Sequence, residues 1–422
     1  MADRKYKVVI IGGGGRGLNA HGGYIADHPE QDFEVVGVVD PKPDRLQLAR
    51  DMFGGIDEKM LFTDWKPLIA LGKVADAAII ATMEPLHRPI AVACAKLGYH
   101  ILLEKPMAPS AADSREIVSA VKEAGVIFAV CHVLRYAPFY QRIRAIIDSG
   151  KLGEVIHVQH VEDVSYWHYT HSFVRGHNNN SDRTSFVLLS KSCHDIDIIR
   201  YLIAKPCLRV QSFGELTHFK KSCKPAEAGD AIRCTECPHE PACPFSAVKI
   251  YSRMGVRIGA DAMPGESISR DFSDEEIMLA IRTGPMGLCV YECDNNVADH
   301  QVVNLTYEGG ATACFTMSGL TEGGRKTVVH GTKGILRGEL SSGQLGWKEF
   351  LTDTWHDESM TEAGGGHGGG DSVMMDQWME AIRAGDQSRI ITGPEETLES
   401  HLTTFAAEQS RLDGEVKSID HG

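Results

Sequence analysis

The stretch SKSCHDIDIIRYL, Ser190 to Leu202, places a lysine, a cysteine, a histidine and two aspartates ahead of an apolar run. Lys191 and His194 are three residues apart, so on a helix they share a face and reach one ligand. Asp195 falls roughly 100° further round, where it orients a neighbour. Asp197 and Arg200, again three apart, are expected to form a surface pair. An amine and an imidazole on one face suit proton transfer at a hydroxyl, because desolvation and nearby cations disfavour their charged forms. A solvated helix face would show the same spacing. A second lysine, Lys105, stands between Glu104 and Pro106, directly after the apolar run His100 to Leu103.

The elements that position these groups begin at the N-terminus. Tyr6 to Ile11 has strand length and runs into Gly12, Gly13, Gly14, Gly15, Arg16 and Gly17. Gly12, Gly14 and Gly17 satisfy G-x-G-x-x-G after a strand, the pattern that lets a backbone turn tightly and approach a pyrophosphate. The strand Phe33 to Val39 ends in Asp40, about 20 residues on, where an acid accepts hydrogen bonds from an adenosine ribose. That acid favours NAD over NADP, and Lys42 and Arg45 beside it moderate the preference. Ala77 to Ala81 ends at Thr82, with His87 five residues later; His100 to Leu103 ends at Glu104 and Lys105; Val126 to Val130 follows a helix capped by Ser110 and Asp113. Alternating strands and helices predict an α/β doubly wound parallel sheet, with ligands at the strands' carboxyl ends. The expected coenzyme contacts are Gly12, Gly14, Arg16, Gly17, Asp40, Thr82, His87, Glu104 and Lys105.

At 422 residues and 43% hydrophobic, the chain has enough apolar material for two cores. Its net charge of -14 argues against nucleic acid or an anionic membrane as partner. No run approaches the roughly 20 apolar residues of a membrane span. Eleven scattered cysteines suit a reducing compartment, so a soluble cytoplasmic protein is expected.

The glycines, Asp40, Thr82 and His87 within ATMEPLHRPIAVACAKLGYHILLEKPMA, VLRY at Val133 to Tyr136, HGTKG at His330 to Gly334 and ESHLTTFAAEQSR at Glu399 to Arg411 together resemble the glucose-fructose oxidoreductase, inositol dehydrogenase and MocA family. The resemblance implies a Rossmann domain over 1–132 and an α+β lobe with an open, mostly antiparallel sheet over 133–422. It also implies a homodimer or homotetramer, and places Lys105 near the nicotinamide and the substrate hydroxyl. Family members commonly carry an aspartate four residues before the histidine matched by His194. Here that position is Ser190, with Lys191 next to it. The acid is gone from the helix, and Lys191 fits either a replacement base or a recogniser of a negative group on the substrate.

Beyond Gly150, alternation in GEVIHVQHVED and VVNLTYEGGATACFTM predicts antiparallel strands. Trp167, His171 and Arg175 lie in an aromatic and histidine-rich segment that suits a sugar or cyclitol ring, and equally suits packing of a short strand. His132, Arg135 and Tyr136 are expected to line the same pocket. Cys223, Cys234, Cys237 and Cys243 form C-x10-C-x2-C-x5-C in an insertion at about 215–250, which fits a structural Zn2+ held by four thiolates; unligated cysteines are the plain alternative. The run EAGGGHGGGD, with His367 and Asp371, fits a lid or a linker.

These readings converge on an NAD-dependent oxidoreductase acting on a ring hydroxyl of a carbohydrate, glycoside or cyclitol, with Lys105, Lys191 and His194 as catalytic residues. Two alternatives remain at this stage. One is a glycosidase that oxidises C3, eliminates, adds water and re-reduces with the same coenzyme. The other is an NAD-binding regulator without catalysis.

Overall fold

The computed structural model describes residues 5–254, 268, 273–361 and 366–421. Six strands, β1 (Tyr6–Ile11), β2 (Phe33–Val39), β3 (Leu61–Phe62), β4 (Ala77–Ile80), β5 (His100–Leu103) and β6 (Phe128–Val130), form one sheet in the order β3-β2-β1-β4-β5-β6. Every pairing in it is parallel. The continuous apolar runs of β1 and β4 make sense here, because helices cover both faces and leave no side for alternation. Strand order reverses between β1 and β4, so the crevice opens at their carboxyl ends, beside Gly12 and Thr82. The capping residue Ser110 accepts a hydrogen bond from the Asp113 N–H at 3.1 Å and starts the helix Ala111–Ala124 as expected.

The helix Gly370–Ala384 returns from far along the chain to this first core. Met374, Met375, Trp378 and Met379 pack there with Val8, Ile10 and Val38.

The second sheet has nine strands: β7 (Val155–Ser165), β8 (Cys207–Glu215), β9 (His300–Tyr307), β10 (Thr312–Thr321), β11 (Gly324–Gly331), β12 (Gly334–Glu339), β13 (Gln344–Glu349), β14 (Thr354–Asp357) and β15 (Lys417–Ser418). Their order is β14-β13-β12-β11-β7-β10-β9-β8-β15. All pairs are antiparallel except β7 with β10, which run parallel at the centre. One face alternates into the core: Val158, His160, Glu162 and Val164 on β7 are buried. The other face exposes Phe213, Val302 and Trp355. Among the described residues no helix is long and apolar enough to cross a membrane.

Candidate active site

A cleft of about 1030 Å³ runs along the carboxyl edge of the first sheet and is closed on its far side by the second lobe. Its volume is at the upper end of the range for small-molecule and cofactor sites. The glycine-rich loop forms one end. Gly12 has φ +105°, and a Cβ there would lie 2.3 Å from the Ala81 carbonyl oxygen. A Cβ on Gly17 would lie 1.9 Å from the Gly12 carbonyl oxygen, so both glycines are required by the turn itself. Gly14 and Gly15 instead border the cleft, and the helical run Gly15–Gly22 begins there with its free N–H groups. An open backbone at a helix N-terminus is the donor set a pyrophosphate needs.

Asp40, 2% exposed, accepts from the N–H groups of Gly13 (2.8 Å) and Lys42 (2.9 Å) and from Arg45 Nη1 (3.0 Å). Thr82 lines the neighbouring wall. His87 does not: its ring spans the carbonyl oxygens of Pro106 (2.9 Å) and Thr82 (3.0 Å). The expected coenzyme contact is therefore a brace between two strand-end loops.

Glu104 is also occupied. Its carboxylate accepts from Arg16 Nε (2.7 Å), pairs with His21 Nε2 (2.8 Å) and accepts from the Lys105 N–H (3.1 Å). Burial would raise its pKa, but Arg16 and His21 hold the carboxyl well below the usual range. Arg16 continues to Asp371 at 2.6 Å, and Asp371 pairs with His367 at 2.9 Å. The glycine run thus reaches the cleft through His367, while residues 362–365 lie outside the described residues.

Lys105 sends its Nζ 2.8 Å to the Ser190 carbonyl oxygen. That bond ties the end of β5 to the turn ahead of the helix Cys193–Ile203 and draws Lys105, Lys191 and His194 to one end of the cleft. His194 is 3% exposed, and neither ring nitrogen has a protein partner. Burial first, then Lys105, His367 and His132, pushes its pKa well below that of a free histidine. It is a neutral imidazole with a lone pair available.

Lys191 pairs at 3.0 Å with Glu162, which points inward from β7. The other Glu162 oxygen is 2.7 Å from Arg325 Nε, and Arg325 donates to Asp195 at 2.7 Å. Asp195 also holds His160 Nε2 at 3.0 Å. The carboxylate missing at Ser190 is supplied from a different element. Burial lowers the Lys191 pKa, opposed by Glu162 and assisted by Arg325.

Several expected pocket residues lie elsewhere. Asp197 and Arg200 are not a surface pair. Asp197 is buried and receives both Nε (2.6 Å) and Nη2 (2.7 Å) of Arg135, with Ser400 Oγ at 2.8 Å. Arg200 pairs with Glu399 at 2.7 Å. Arg135 is thus spent on Asp197, and the Tyr136 hydroxyl on Thr392 at 2.8 Å. His132 is buried behind His194, ring centroids 5.6 Å apart.

Trp167 packs toward the Cys234 and Tyr251 cluster, His171 pairs with the Tyr251 hydroxyl at 2.9 Å, and Arg175 donates to the Leu288 and Phe245 carbonyls. Their neighbours His168, Ser172 and Phe173 face the cleft instead. The segment fits a substrate loop or a short strand in sequence, but Tyr166–Tyr169 and Thr170–Arg175 are helical, which rotates different residues inward. Among the cysteines, Cys223 turns to the Thr217 carbonyl at 3.3 Å, and Cys289 joins Cys234, Cys237 and Cys243.

Four buried histidines, His132, His171, His194 and His401, and the half-buried His168 have lowered pKa values, chiefly through desolvation; His132 is at about 4 and His401 at about 3. Their folded values lie below their unfolded ones, so between the two the unfolded chain binds more protons. Stability is therefore complete above about pH 6.5 and falls as pH drops toward 4, for His132 alone by about 2 kcal/mol at pH 5. Urea unfolding at pH 7.5 and 5 should show a lower midpoint at pH 5; an unchanged midpoint would mean that these rings are already charged.

Residues 6–132 match the family model described as "Oxidoreductase family, NAD-binding Rossmann fold", and residues 144–417 match "Oxidoreductase family, C-terminal alpha/beta domain". The chain belongs to the Gfo/Idh/MocA oxidoreductase family. It is 22% identical over 360 residues to YteT of Bacillus subtilis, covering 82% of this chain and 81% of that one. Inositol 2-dehydrogenase of Pseudomonas fluorescens is 29% identical over 182 residues, 43% of this chain and half (50%) of that enzyme. Levoglucosan dehydrogenase, in a complex with NADH and levoglucosan, shares the fold with a TM-score of 0.72 at 16% identity, over 99% of this chain and 100% of that one.

Proposed function

We propose that this family member is an NAD-dependent dehydrogenase for a ring hydroxyl of a carbohydrate, glycoside or cyclitol. The observation that carries the reading is the bond from Lys105 Nζ to the Ser190 carbonyl, which gathers a lysine and a neutral, unpartnered histidine at the cleft end beside β4 and β5. A nicotinamide coenzyme, when bound, supplies the two-electron acceptor for a carbinol carbon. Lys105 donates to the substrate hydroxyl oxygen and fixes it; His194 takes the proton as the carbonyl forms. Lys191, held by Glu162, donates to a second oxygen on the ring and sets its rotation. The cleft wall formed by Phe173 and Val133 packs against the ring's apolar face.

The test is a panel of inositols, free sugars, glycosides and uronates, followed by NADH absorbance and product mass. Stoichiometric NADH and a product two mass units lighter are expected for one class. No NADH from any class, with the coenzyme bound, would reject the proposal.

Asp40 sets the coenzyme preference. Its carboxylate borders the cleft, would repel the charge of a 2'-phosphate, and already engages Arg45. Asp40→Ser removes the like charge and frees Arg45, so kcat/KM for NADP should rise at least about tenfold relative to NAD, a change of about 1.4 kcal/mol. An unchanged ratio would show that the 2'-position is read elsewhere.

A second reading has its own support. His168 also borders the cleft and is held neutral, chiefly by burial and then by Lys191, which gives the site two bases. One would serve the hydroxyl, and the other a C–H made acidic by the new ketone, as in oxidation, elimination, hydration and re-reduction of a glycoside. Free sugar released without net NADH would support it. The exposed apolar side chains on the open face of the second sheet, Phe213, Val302 and Trp355, support a homo-oligomer, which light scattering would measure.

A further inference from the structure

Between β8 and the helical run beginning at Val248, the chain makes only single turns, at Lys221–Cys223, Ala226–Ala228, Cys234–Glu236 and Glu240–Ala242. A stretch of that length without a strand or long helix needs a staple to hold one conformation. The last two of these turns are each followed by a cysteine: Cys237 donates its N–H to the Cys234 carbonyl, and Cys243 donates its N–H to the Glu240 carbonyl. A bridge between Arg233 and Leu288, with the Cys289 N–H donating to the Ile232 carbonyl at 2.9 Å, brings a fourth cysteine in from beyond the insertion. Cys234, Cys237, Cys243 and Cys289 all line one small cavity of about 20 Å³, room for a single water-sized species.

The wall of that cavity also carries Arg175, 4% exposed. Its Nη2 lies 3.5 Å from Cys234 Sγ, while its Nη1 is buried with no hydrogen-bond partner in the protein. A permanently charged guanidinium aimed at thiols makes sense if they are thiolates. A divalent ion bound by four thiolates carries a net charge of about -2, which Arg175 then partly offsets.

We infer that Cys234, Cys237, Cys243 and Cys289 form a four-thiolate metal site that fastens the insertion to the segment before β9, with Cys289 in place of Cys223. The ligand class is a thiophilic metal centre, a zinc ion or an iron–sulfur cluster, and the cavity's size favours the single ion. Tetrahedral zinc with Zn–S near 2.3 Å needs sulfurs about 3.8 Å apart. Among the described residues no three thiols lie within 4.8 Å of one another, so binding turns the cysteine side chains inward. Four thiolates leave no open coordination position, and the centre stabilises the fold without entering the reaction.

The full-length protein, prepared anaerobically and without a metal-chelate column, should contain one centre per chain by elemental analysis. Zinc alone identifies the ion; iron with acid-labile sulfide identifies a cluster; either supports the site. Cys234→Ser and Cys289→Ser should each lose the metal, while Cys223→Ser keeps it. Should those variants fail to fold, alkylation of the wild type gives the same answer: Cys234, Cys237, Cys243 and Cys289 stay protected until a chelator is added, and Cys223 reacts from the start. A metal-free protein with four reactive thiols, or a metal lost in Cys223→Ser and retained in Cys289→Ser, would overturn the inference.

Discussion

Lys105→Met should lower kcat by about 10²- to 10⁴-fold, the range for removing a group that donates or accepts a proton in the transition state. Coenzyme affinity should change little, because the proposed nucleotide contacts, the glycine-rich loop and Asp40, lie at the other end of the cleft. The side chain is bonded to a backbone carbonyl on the opposite lobe, so some loosening of the Ser190 turn is also expected. Methionine keeps the length of the stem and limits that effect. Thermal unfolding and a coenzyme titration beside the kinetics separate the two contributions. Full activity in Lys105→Met would remove the central residue of the mechanism, and no measurable activity in wild type or variant would favour an NAD-binding regulator.

Glu162→Gln is the second large effect. Glu162 is 3% exposed and faces two cations, Lys191 and Arg325. Removing one member of a buried ion-pair network leaves the others uncompensated, at a cost of about 3–5 kcal/mol. The double variant Glu162→Gln with Lys191→Met should recover part of that loss, and a double-mutant cycle in urea measures how much. The pH profile answers the question posed by Lys191. Burial lowers its pKa and Glu162 raises it, so Glu162→Gln lowers it further. If Lys191 acts as a base, the acid limb of kcat/KM moves to lower pH. If it acts as a cation for an anionic substrate, the alkaline limb moves to lower pH instead, and KM for uronates rises while KM for neutral sugars does not.

Much of the first domain was legible because its signals are local. Gly12, Asp40, Thr82 and Lys105 sit just past strand ends, where a period of apolar residues stops and a loop must begin, and Gly14 and Gly17 follow in the turn and helical run after β1. His87, at the start of a helix, lies off the cleft between the carbonyls of Pro106 and Thr82, and Glu104, which borders the cleft, is paired with Arg16 and His21, partners that no spacing reveals. In the second lobe the expected pair of Asp197 with Arg200 followed helix spacing correctly and failed because most of the helix is buried against other elements, so each charge found a partner on one of them.

Glu162 left a trace that was open to reading. In VIHVQHVEDV, His160 and Glu162 fall on the same alternate positions as Val158 and Val164. Polar residues at core-facing positions of a strand are errors unless they are functional. Arg325 on β11 left no such trace, since only the sheet's register places Arg325 opposite Glu162.

The central claim is that this cleft takes the hydrogen from a carbinol carbon of a ring. The most direct measurement uses the substrate found in the panel, deuterated at that carbon, with excess NAD and mass analysis of the recovered coenzyme. One deuterium per reduced nicotinamide, with a rate slowed relative to the protiated substrate, is the predicted result. Turnover with deuterium released to water, or reduced coenzyme free of deuterium, would contradict it.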